Sequence, residues 1–140
     1  MDYDDGDRIK SLTELQCWEL VESEDLARLA VSVDDRPDIF PVTYVSHGGK
    51  LYVRTTQGSK LLELAINNQV AVEIDKVQED SATSVVMHGQ ARRLESEAEI
   101  LAAEKLPLRT RRQITSPVYI EITPSDVNGR WFDFSPAEAG

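Results

Sequence analysis

Residues 39–60 read IFPVTYVSHGGKLYVRTTQGSK, and the fold follows from how this stretch alternates. Ile39 to Val45 and Leu51 to Thr55 are short, β-branched, alternating runs, so each predicts a strand. His47-Gly48-Gly49 between them predicts a hairpin turn, because glycine accepts the positive φ that tight hairpins require. Gly58-Ser59-Lys60 then interrupts the second strand, and Leu61, Leu62, Ala65 and Ile66 form one face of a short helix ending at Asn67-Asn68.

The pattern extends in both directions. Upstream, Leu29, Val31 and Val33 alternate before the turn Asp34-Asp35-Arg36-Pro37, which gives an antiparallel meander. Downstream, Val70 to Ile74 and Ser84 to Leu94 resume strand character, Glu97 to Lys105 predicts a helix ended by Pro107, and Val118, Ile120 and Ile122 alternate as a further strand. Trp131, Phe132 and Phe134 suggest a last one. Near the start, Ser11-Leu12-Thr13-Glu14 has capping-box form, and Leu12, Leu15, Trp18 and Val21 predict an apolar helix stripe with Cys17 and Trp18 in the core. Residues 1–10, with four aspartates, read as a flexible lead-in to a single domain over 11–140. Six to seven short strands with two or three inserted helices predict a mainly β, antiparallel barrel rather than a parallel sheet.

Composition narrows the partners. A chain of 140 residues with a formal charge of −10 repels phosphate backbones and anionic lipid on average, so neither nucleic acid nor a membrane is expected as a partner. The acidic start is unlike a signal peptide and no apolar run reaches the ~20 residues of a membrane helix, which predicts a cytoplasmic protein. One cysteine and two histidines leave no ligand set for a zinc centre, and Glu73 with Asp75 reads as a polar outer strand face. Neither a Rossmann glycine fingerprint nor a Ser-His-Asp spacing is present.

Chemistry concentrates where the second hairpin strand hands over to the helix. Arg54 and Lys60 supply cations, Thr55 and Ser59 supply hydroxyls, and a helix start after Gly58 supplies unpaired N–H groups, a set suited to a phosphate monoester. The same residues also read as a capped helix flanked by two solvated cations. Arg109, Arg111 and Arg112 form a second basic cluster, which suits either a nucleotide tail or a solvated loop.

Leu29-Ala30-Val31, Arg36 to Tyr44, Arg54-Thr55 and Gly58-Ser59-Lys60, in that order after a helix, resemble the pyridoxamine 5'-phosphate oxidase-like superfamily, nearest its short flavin-binding, nitroimidazole-resistance-type members. The resemblance covers roughly residues 11–95. It implies a split-barrel homodimer holding flavin mononucleotide (FMN) at the subunit interface, with a flavin-dependent oxidoreductase acting on a small molecule. It places Arg54, Thr55, Gly58, Ser59 and Lys60 at the phosphate and ribityl end, and Pro41, Val42, Thr43 and Tyr44 along the ring, where Tyr44 is either a flavin neighbour or a barrel-wall aromatic. Trp131 and Phe132 would cover the flavin from across the interface or pack in the core. Members of the nitroimidazole-resistance type carry a histidine where Arg54 stands, and the arginine-rich end of true pyridoxamine phosphate oxidases is missing here, so vitamin B6 oxidation is not expected. The deazaflavin F420 and a non-catalytic flavin-binding module are the alternatives.

Overall fold

The computed structural model describes residues 8–108 and 116–136. The chain runs β1 (Ile9–Ser11), α1 (Glu14–Ser23), β2 (Leu26–Val33), β3 (Arg36–His47), β4 (Lys50–Thr56), α2 (Lys60–Ala65), β5 (Gln69–Val77), β6 (Ser81–Arg93), α3 (Glu97–Glu104) and β7 (Pro117–Asp133). The strands form one antiparallel sheet in the order β1-β7-β4-β3-β2-β5-β6, and β6 also pairs with β7, which closes the sheet on itself. The result is the expected mainly β split barrel. Inward residues of each strand meet at its axis, with Leu29, Leu51, Ile74, Met87, Ile120 and Ile122 fully buried. No helix among the described residues is long and apolar enough to cross a membrane.

The turns fall where the residues place them: Asp34 and Asp35 take φ of 52° and 62°, and Gly48 and Gly49 take 60° and 75°. Four features differ from the sequence reading. Ile9 and Lys10, read as lead-in, pair with Phe132 and Trp131, so the sheet begins two residues before residue 11. The cap of α1 is Thr13: its hydroxyl accepts from the Gln16 N–H at 3.2 Å, and the Gln16 side chain accepts from the Thr13 N–H at 2.9 Å. Ser11 is held in β1 opposite Arg130 and is not available as a cap.

The buried face of α1 is Cys17, Leu20 and Val21, the i, i+3, i+4 pattern of a 3.6-residue turn, whereas Leu15 is 70% exposed. A stripe repeating every third residue falls behind the turn of the helix. Finally, the segments around Ile120 and Trp131 belong to one 17-residue strand. The polar stretch between them keeps pairing with β6 across a bulge at His88/Gly89, where Pro124 stands opposite Gly89.

Candidate functional site

Two strands diverge at the place the sequence singles out. β3 pairs with β2 through Arg36–Thr43 but with β4 only through Tyr44–His47, and beyond the Tyr44–Val53 pair β4 continues along β7 alone. Between them the β3 edge over Arg36–Thr43 has no strand partner among the described residues. The Tyr44 N–H donates to the Asp25 carbonyl at 3.0 Å, so Tyr44, Val42 and Phe40 direct their backbone groups at β2. Thr43, Pro41, Ile39 and Pro37 therefore direct theirs at the open side. Both prolines belong to this second set, so the N–H that each lacks is one the β2 ladder never uses. The open edge presents the Thr43 N–H and the Pro41 and Thr43 carbonyls.

The same alternation sorts the side chains. Pro41 and Thr43 face outward, while Val42 and Tyr44 are buried. The Tyr44 ring is a barrel-wall aromatic: its hydroxyl donates to the Val21 carbonyl at 2.6 Å, and burial beside Glu24 and Asp25 pushes its phenol above the ordinary value. This answers the choice left open by the residues in favour of the core. Tyr44→Phe is expected to cost about 1–2 kcal/mol of stability by orphaning the Val21 carbonyl, and to leave ligand affinity unchanged. Thermal unfolding and ligand titration of the variant check this.

At the end of β4, Arg54 points outward opposite Tyr119, and the chain turns into α2 through Gly58, whose φ is +82°. No heavy atom lies within 4 Å of the position a Cβ would take there, so glycine is required by the backbone angle alone. The Thr55 hydroxyl donates to Ser59 Oγ at 2.8 Å, and Ser59 Oγ also accepts from the Leu62 N–H at 3.1 Å. The Thr55 proton is thus committed, whereas the Ser59 hydroxyl proton stays available to donate. Lys60 is exposed, and no carboxylate pairs with it among the described residues. α2 spans only six residues, so its macrodipole adds little. The anion-binding capacity of the turn resides in Arg54, Ser59 and Lys60.

Closure of the barrel adds residues that the sequence did not single out. A cleft of about 520 Å³ runs along α2 and is lined by Gln57, Gly58 and Ser59 at one end and by Asn67 at the other, with Arg93 and Glu95 on its flank. Arg92 and Arg93 end β6 and point to opposite sides of the sheet. Arg93 faces the cleft, and Arg92 pairs with Glu99 of α3 and donates to Glu121 at 3.0 Å. Glu121, only 5% exposed, also accepts from the Tyr52 hydroxyl at 3.1 Å, and burial beside this carboxylate raises the Tyr52 phenol. The network fastens α3 over the outer face of β4 and β7, where Tyr119, Leu94 and Ala103 form a second small core. The signal for it was the charge at Glu121 inside an otherwise apolar strand.

Other candidates fall elsewhere. Trp131 lies at the far end of β7 from Tyr119, the residue opposite Arg54, with Lys10 Nζ 5.7 Å from its ring centre. Within one chain it does not meet the Arg54–Lys60 turn. Phe132 stacks on Phe134 with ring centres 6.1 Å apart. Glu73 and Asp75 both hold Arg28 at 2.9 Å. Arg109, Arg111 and Arg112 lie outside the described residues.

A family model for pyridoxamine 5'-phosphate oxidase matches residues 13–131, a span that contains both the open β3 edge and the β4–α2 turn. The chain belongs to this family. Among solved relatives, the family fold recurs in a Corynebacterium glutamicum protein provisionally named a pyridoxamine 5'-phosphate oxidase, 31% identical with a TM-score of 0.84 over 98% of this chain and 99% of that one. A protein from Mycobacterium smegmatis described as an FAD binding protein is 31% identical with a TM-score of 0.84, over 90% of this chain and 100% of its own. A curated Rhizobium meliloti protein, RA0666, is uncharacterized; it is 32% identical over 87 residues, a match spanning 61% of this chain and 58% of that protein.

Proposed function

We propose that this family member binds a flavin by its 5'-phosphate, FMN being the smallest form that satisfies the site, and uses it for oxidoreduction of a small molecule. The observation that carries this reading is the meeting of an open strand edge with a cationic turn: Thr43 and Pro41 on one side, Arg54, Ser59 and Lys60 on the other. The donor set fits a phosphate monoester, since it offers two cations and a hydroxyl with an uncommitted proton. The edge fits the polar rim of a flavin ring, since it offers a backbone donor beside backbone acceptors. The FAD-binding M. smegmatis relative supports the flavin assignment.

When bound, the ring supplies hydride or single-electron transfer. The chain's own part is to neutralise the phosphate through Arg54 and Lys60, to orient the ring through the Thr43 backbone, and to leave one ring face to the substrate. No nucleophile or acid-base pair of this chain is needed for that task.

The working unit in this reading is a homodimer with the cofactor at the interface. Trp131, separated from the turn within one chain, reaches a ring only from a second copy, and Ile39, 68% exposed on the open edge, gives that copy an apolar contact.

The visible spectrum of freshly purified protein tests the proposal. It should be yellow, or become so with added FMN, and the bound flavin should be bleached by a reductant and restored by an acceptor. A colourless preparation that takes up no added flavin refutes it; bound flavin that no physiological reductant reaches restricts the protein to carrying the cofactor.

A further inference from the structure

We propose that the cavity between α3 and the outer face of the sheet binds a small uncharged phenol, at a site separate from the flavin. Its volume is about 140 Å³. Tyr52 and Glu121 line it on the sheet side, and Leu94, Ala102, Ala103 and Leu106 line it around α3. An apolar cavity of about 150 Å³ holds a benzene ring, so this one is matched to a single six-membered ring. His47, at the hairpin end of β3, also faces it, whereas Pro41 and Thr43 of the open edge are not in its lining.

The polar wall has balanced charge and one position left for a donor. Glu121 Oε1 accepts from Arg92 at 3.0 Å and from Lys50 at 3.5 Å. Oε2 accepts only from the Tyr52 hydroxyl, at 3.1 Å, among the described residues. A carboxylate oxygen takes about two hydrogen bonds, so Oε2 keeps a lone pair to offer. Burial beside Glu121 raises the Tyr52 phenol, which keeps that proton in place at neutral pH and committed to Glu121. Glu99, the other carboxylate of the lining, is occupied by Arg92 and Ser96. Two carboxylates thus meet two cations, Arg92 and Lys50, and a charged ligand would add an unpaired charge to a largely buried wall. A neutral ring with one O–H donates to Oε2 and lays its apolar body on the alanines and leucines.

Calorimetric titration of the full chain with phenol, anisole and benzoate tests the proposal. Phenol should bind with a Kd of about 1 mM or below, the range open to a ligand of its size. Anisole, which has no donor, and benzoate, which is charged, should bind about tenfold more weakly or worse. Ala102→Leu, at an exposed position of α3, should fill the cavity and weaken phenol by a similar factor while the circular dichroism spectrum stays unchanged. Added phenol should leave FMN affinity within about twofold, because the two sites share no lining residue among Arg54, Ser59 and Lys60. Absence of phenol binding, equal affinities for phenol and anisole, an Ala102→Leu protein that binds phenol as wild type does, or competition between phenol and FMN would each overturn the proposal. The wild-type ligand series decides it even where the variant does not fold.

Discussion

Gly89→Ala is expected to lower the folding free energy by about 3 kcal/mol, read as a shift of the urea midpoint at unchanged slope. A Cβ on Gly89 would stand 2.5 Å from the Thr123 carbonyl oxygen and 3.0 Å from Pro124 Cα. Both are backbone atoms of the partner strand, so no side-chain rotation relieves the clash. The strands must separate at the bulge where β6 changes register against β7. That pair closes the barrel and holds Arg92, Arg93 and Glu121 in place, so the cost falls on the whole sheet. A loss below about 1 kcal/mol would mean that the bulge accommodates a methyl group and is not a fixed point of the closure.

The parts of the fold legible in the sequence are those whose cause is local. The β2–β3–β4 meander follows from alternation over Leu29 to Thr55 and from two turns whose residues accept positive φ. Ser59 was readable as a cap because capping needs only the next few residues, and its hydroxyl does accept from the Leu62 N–H. Tyr44 was legible in principle: it shares its strand face with buried Val42, and the period of two assigns both inward. The resemblance drew it toward the ligand instead.

What sequence did not reveal depends on register between distant strands. Arg93 reaches the cleft along α2, and Arg92 reaches Glu121, only because β6 pairs with β7 along its length. Nothing near Arg92-Arg93 announces that one arginine will fasten α3 and the other will face a cleft. The continuity of β7 was hidden for a related reason. Its middle is polar and contains Pro124, which stands at the bulge where β6 and β7 change register, a position that tolerates proline.

The claim on which the functional account depends is that Arg54 and Lys60 hold a phosphate, and the measurement that tests it most directly is the affinity of the Arg54→Ala/Lys60→Ala protein for FMN and for riboflavin. Hydrogen bonds to charged groups contribute about 1.5–3 kcal/mol each, less where solvent screens them, as at exposed Lys60. Losing both should weaken FMN on the order of a hundredfold or more. Riboflavin, which has the same ring and no phosphate, should change less than about threefold, and a circular dichroism spectrum matching wild type would show that the fold is intact. Equal weakening of the two ligands, or none for FMN, would contradict the account and move the phosphate away from the β4–α2 turn.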